Sequence, residues 1–367
     1  MVATAQRFCE NHPQLAIRWE KRSLQEFADF PIEELAERFD LLVIDHPFVG
    51  TAAAQGTLVP LDDYLTGSFL DDQAANSVGK SHESYTYAGH QWSLAIDAAT
   101  PVSAFRRDLL DRAGVPVPGS WEELLDLARR GLVAFPGIPV DCLMHFYMVC
   151  SSLGEDPFGA PKRVISEETG VRALTILREL AALCPPACFS WSPIATYEAM
   201  SSGNTLAYCP FAFAYSNYAR YGYAQHRLEF GDLVRGPGGG RCRSTLGGTG
   251  LAISARCQHK EAAAEYAHYV ASAECQRTLY FESGGQPGHR AAWIDQKTNE
   301  TSFGFFRRTL EAHDRAYLRP RYHGYLHFQD HAGPIVHDFL LQGGDPRQVL
   351  SQLDSVYVNS SKRSSRK

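Results

Sequence analysis

The chain has 367 residues, 44% of them hydrophobic, which is enough to bury a large core, and its length predicts two lobes rather than one compact unit. A formal net charge of −6 without any long basic run argues against nucleic acid or an anionic membrane as the main partner, because phosphate binding needs clustered Lys and Arg. No stretch approaches the ~20 apolar residues that cross a bilayer, and the opening MVATAQRFCENHPQ lacks the charged and apolar regions of a secretory signal.

The first elements alternate. A helical VATAQRFCENHP precedes the run LAIRWEKRS, a helix over PIEELAERF and a buried strand from Leu41 to Asp45. Strands too short and apolar to be helices, interleaved with helices, predict an α/β fold with a mainly parallel sheet covered on both faces. Ligands of such sheets sit beyond the carboxyl ends of the strands. Asp45 and His46 stand at that end of the first strand, just before Pro47. The segment YAGHQWSLAID predicts a second buried strand from Leu94 that ends in Asp97. A strand at PVSAF, a short helix, a Pro-rich connection and a helix opened by Ser120 with Glu123 follow, the last pair in capping-box spacing.

The middle third predicts helices near Asp141 to Leu153, Glu167 to Leu183 and Ile194 to Ser202, then the strand TLAYCP and an aromatic stretch. GPGGGR from Gly236 is a turn, and STLGGTGLAISA is a glycine turn entering a strand. The helical region HKEAAAEYAHYVASAECQRTLYFES stops at Gly284 and Gly285, and three further helical segments reach a serine-rich basic tail, Ser360 to Lys367, which reads as a frayed end. The nine cysteines form no CxxC pair, so neither a zinc ribbon nor a full disulfide framework follows; Cys184 and Cys188 in CPPAC are close enough in sequence to bridge locally or to remain thiols. His323, His327 and His331 recur every four residues, a metal spacing if helical, but Gly324 and Gly333 weaken such a helix.

The blocks FDLLVID with AAAQGTLVPLDDYL, YAGHQWSLAIDAATPVSAFRRDLLDRAGVPVPGSWEELLDLA, LGGTGLAISARCQHKEAAAEYAHYVAS and SGGQPGHRAAW, in this order, resemble the extracellular solute-binding proteins of the carbohydrate ABC importer group, the maltose-binding-like family. The resemblance implies a two-lobed type II periplasmic-binding-protein fold with three hinge crossings, near Thr100 to Ser103, Ser244 to Gly247 and Ile294 to Asn299. Residues 1–101 and 247–296 would form one lobe and residues 102–246 and 297–367 the other. It further implies a monomer that binds a small solute, most often a sugar, works with a permease and an ATPase, needs no cofactor and stands in the periplasm or outside the cell. Against the family pattern, the sequence begins inside the helix that would follow the first strand, which fits either a truncated start or an unexported, cytoplasmic relative.

A polyhydroxylated ligand needs carboxylates and amides for its hydroxyls and aromatic walls for its ring faces. Asp45, His46 and Asp97 offer the first kind from one lobe; Phe211, Tyr215, Ser216 and Asn217 in PFAFAYSNYAR offer both kinds from the other. Each has a plainer role open to it: Asp45 and Asp97 as turn or helix caps, His46 as a structural histidine, the aromatics as core. Gly248, within Gly247 to Gly250, lets backbone approach a ligand and lacks the lysine of a phosphate loop. Family likeness adds Gln286 and Arg290 from the loop beside the cleft, and Arg290 could pair with a carboxylate or phosphate. An enzyme of the same fold, using a cysteine or His46, and a ligand-sensing module are the rival functions. No GxSxG or other nucleophile motif and no basic helix-turn-helix supports either.

Overall fold

A computed structural model describes residues 1–22 and 32–364, so the first residue of the expected helix PIEELAERF, Pro31, and the last residue of LAIRWEKRS, Ser23, lie outside the described residues. The chain divides into two compact units. The first comprises Met1–Ala99, Gly247–Glu300 and Arg321–His323, and the second Thr100–Leu246, Thr301–Pro320 and Gly324–Lys367.

The first unit is built on strands β1 (Leu41–Ile44), β2 (Leu94–Ala99) and β6 (Gly247–Ile253), in the order β1-β6-β2. Both outer strands run antiparallel to β6, which corrects the expected mainly parallel sheet. The cause is connectivity: β2 leaves the unit at Ala99 and β6 returns paired to it at Gly247, so the central strand must run back against its neighbours. As a result β1 and β2 point the same way, and their carboxyl ends share one end of the sheet. Leu94, Ile96, Leu251 and Ile253 join Phe8, Tyr266, Val270 and Tyr280 in the core beneath. The helix expected from His259 to Ser283 is interrupted at Ser272, whose extended backbone ends Lys260–Ala271 and whose hydroxyl caps the next turn at Cys275. Leu15, Ile17 and Trp19 pack on the same core with the two-residue alternation of a strand, but the stretch makes no ladder among the described residues.

The second unit has β3 (Pro101–Phe105) between β4 (Tyr208–Phe213) and β5 (Glu229–Gly231), again all antiparallel. The strand expected at TLAYCP thus starts later and carries the aromatic residues Phe211 and Phe213. Helix Pro139–Ser152 is apolar nearly all round and buried along most of its length, as a central helix must be. It packs against Tyr325–Gln342, which forms despite Gly333 and Pro334. A side chain at position 333 would meet the Pro139 carbonyl at 2.9 Å, so the glycine sets how closely the helices approach. His323 is outside that helix, in the first unit beside Thr51, so the three histidines do not share a helix face; His327 and His331 alone do, with rings 4.0 Å apart. The capping box at Ser120 is formed in both directions. Helix Pro346–Ser364 runs well into the tail expected to fray, and Cys184 and Cys188 are both free thiols.

Candidate ligand-binding site

In the first unit the ladder pairs Ile44 with Gly250 and Asp97 with Thr249. Asp45, one residue beyond Ile44, therefore flanks Thr249 on one side and Asp97 on the other, with main chains roughly 10 Å apart, two strand spacings. A β-bulge between Ala95 and Asp97 falls just before the second carboxylate and re-aims it. Asp45 caps the short turn His46–Phe48, accepting from its N–H at 2.8 Å, and its Oδ1 lies 3.1 Å from His46 Nδ1. The His46 ring is fully buried and meets Tyr85 edge-on at 6.3 Å. Burial raises the Asp97 carboxyl to about 7, and the Gln286 main chain, hydrogen-bonded to it, pulls the other way. A half-protonated carboxyl of this kind can donate or accept at neutral pH.

The glycines around these tips are fixed by space. Gly248 has φ +107°, and a side chain there would meet the Asp97 carbonyl at 2.4 Å. At Gly288 it would meet the Ala95 carbonyl at 2.3 Å. The close approach brings the loop at Pro287 alongside Asp97. Gln286 is buried and spends its amide on this contact, Nε2 donating to the Ala98 carbonyl at 2.7 Å. The Arg290 main-chain N–H donates to the Asn76 carbonyl and its Nε to that of Ser77. Sequence reasoning missed Tyr85, whose hydroxyl lies 3.3 Å from both the Ile44 and the Gly248 carbonyls and so ties the two strand tips together.

In the second unit burial alternates along the chain leaving β4. Phe211 is buried, Phe213, Tyr215 and Asn217 are partly accessible, and Ser216 is buried. Phe211 packs among Trp121, Phe135 and His145, a core environment, with the His145 ring only 4.4 Å away. Tyr215 meets Tyr197 edge-on at 6.5 Å, and Tyr197 donates to the Ala212 carbonyl at 3.0 Å. Trp92 is buried and donates to the Tyr87 carbonyl, a core role. Two grooves lie away from all of these residues. One of about 580 Å³ is lined by Arg163, Glu167, Arg347 and Asp354. The other, about 360 Å³, runs between Leu15–Glu20 and the outer edge of β1.

Two α/β units linked by repeated crossings of the chain, with polar strand tips gathered at one end of a sheet, define the two-lobed solute-binding class. The family model described as bacterial extracellular solute-binding protein matches residues 31–289, more than half of the chain, and the chain belongs to that family. The family is one of binding proteins, and the chain is not an enzyme.

Solved structures share the fold. The maltose-bound MalE3 of T. maritima superposes with a TM-score of 0.83 at 19% identity, covering 97% of this chain and 95% of that one. A Listeria monocytogenes substrate-binding protein in complex with cycloalternan gives 0.81 at 17%, covering 100% and 96%. The GacH receptor of Streptomyces glaucescens, solved with and without acarbose, gives 0.80 at 20%, covering 98% and 94%.

Proposed function

We propose that this chain is the substrate-binding component of an ABC importer and captures a small polyhydroxylated solute, a sugar or related compound, in the periplasm or outside the cell. The family match carries the reading, and the sugar-bound structures of the same fold favour the ligand class. The two compact units serve as lobes, close to 1–101 with 247–296 and 102–246 with 297–367. Asp45, His46, Asp97 and the glycine edge at Gly248 supply polar contacts from the first, and Tyr215, Ser216 and Asn217 supply a wall and hydrogen bonds from the second. Gln286 and Phe211 act behind these contacts, and Arg290 stands at the margin. Ligand touching both lobes stabilises the closed form by its differential affinity, and the closed monomer is what a permease and its ATPase recognise.

Micromolar affinity requires only about −8 kcal/mol, within reach of several hydrogen bonds and one aromatic wall. A thermal-shift screen over sugars, polyols and organic acids, followed by calorimetry on each hit, tests the reading. At a hundredfold excess over Kd a true ligand stabilises the fold by about 2.7 kcal/mol. A panel in which no sugar or polyol raises the melting temperature, while organic acids do, refutes the ligand class.

A further inference from the structure

Helix Pro139–Ser152 contains one carboxylate and one imidazole, Asp141 and His145, spaced one turn apart and so on one face. Both side chains are almost fully buried, at 3% and 1% exposure. Asp141 Oδ2 and His145 Nδ1 have no hydrogen-bond partner among the described residues. Polar atoms buried in this way are ordinarily satisfied, and each one left bare costs free energy. Among the described residues no cation is found to offset the acid, and neither group shifts the other electrostatically.

His145 packs on Phe211, in the strand that leads to the proposed second-unit contacts, and Tyr197, which meets Tyr215 edge-on, donates its hydroxyl to the Ala212 carbonyl of the same strand.

We propose that Asp141 and His145 form a further binding locus of the second unit, specific for an uncharged hydroxyl group of the solute. The inference rests on the polyhydroxylated-ligand reading and deepens it. A hydroxyl can donate to a bare imidazole nitrogen while accepting from a carboxylic acid. Burial holds the two side chains in those states: the Asp141 carboxyl is raised to about 8 and the His145 imidazole lowered to about 3. At neutral pH the locus therefore carries no charge, which suits a sugar or polyol and gives a carboxylate nothing to pair with.

The test compares the wild-type protein with Asp141→Asn, Asp141→Ala and His145→Phe in calorimetry at pH 7, using the sugar or polyol that most stabilises the wild type. Asp141→Asn keeps the shape and neutrality of the acid but cannot offer its O–H, and His145→Phe keeps the ring against Phe211. Loss of one neutral hydrogen bond weakens binding by about 3- to 10-fold, and that loss is expected in Asp141→Ala and His145→Phe, with a smaller one in Asp141→Asn.

Melting temperatures measured alongside separate this from a packing role. Affinity unchanged in all three variants, whatever the melting temperatures, overturns the proposal and leaves the sugar reading intact; the bare atoms then hold only structural water. A wild type that binds no sugar or polyol removes the sugar reading and this locus with it. Tight binding of an amine that strengthens as pH rises from 6 to 9 overturns the assigned ligand class, because the carboxyl then acts as an anion.

Discussion

Replacing Asp141 by Asn should make the protein more stable at neutral pH and should erase part of its pH dependence. The carboxyl has an ordinary value of 3.8, and burial raises it to about 8 in the folded chain. The folded state therefore holds a proton that the unfolded chain has released by pH 7, roughly 3 pH units above its own midpoint. At 1.36 kcal/mol per decade, that difference costs about 4 kcal/mol of stability at pH 7. The sign follows from the raised value: the contribution is fully present below about pH 4 and is lost as pH rises through about 8. Asn cannot ionise, so the variant escapes the loss. The gain in melting temperature at pH 7 is on the order of 5–10 °C, and it should vanish near pH 4. Denaturant and thermal melts of both proteins at pH 4, 5, 7 and 9 read the difference directly, with every other titrating group common to the two. Curves that stay parallel across that range would refute the assignment of a protonated, uncompensated acid at this position.

Three further substitutions probe the first unit. Gly248→Ala places a side chain 2.4 Å from the Asp97 carbonyl at a positive φ, and it should cost about 1–3 kcal/mol in chemical denaturation together with ligand affinity; wild-type melting would show that the strand tip has room to spare. Asp97→Asn should flatten the pH dependence of solute binding around pH 7, where the wild-type carboxyl titrates, as measured by calorimetry between pH 6 and 8. Tyr85→Phe removes the hydroxyl shared by the Ile44 and Gly248 carbonyls and should lower stability by about 1 kcal/mol while raising hydrogen exchange at residues 44–46 and 247–249; unchanged exchange there would deny the hydroxyl its tethering role.

What could be read in the sequence depended on whether the deciding interaction was local. The runs at Leu41 and Leu94, the Ser120–Glu123 cap and the helix expected near Asp141 to Leu153 are decided by neighbours in the chain, and the structure forms each of them. The direction of the sheet was not legible, because it is set by Gly247 returning beside Ala99 after 147 intervening residues spent in the other unit. Helix Tyr325–Gln342 was undervalued for a similar reason: propensity charges Gly333 and Pro334 against it, while the gain comes from seating that glycine on Pro139.

The site divides the same way. Asp45 announces itself as an acid closing an apolar strand; Asp97, expected to end the second strand, lies inside it, because the ladder with β6 continues through Ala98 and Ala99, and Tyr85 is an ordinary aromatic until the fold places its hydroxyl between two carbonyls. Asp141 was hidden by a respectable local excuse, since an acid in the first turn of a helix suits the dipole and draws no attention. Only tertiary burial strips away its solvent and leaves an oxygen without a partner. An acid whose burial makes the fold lose stability as pH rises towards 8 is not there to stabilise the empty fold at neutral pH. The residue is better explained by what it meets when the protein is occupied than by anything it does for the empty fold.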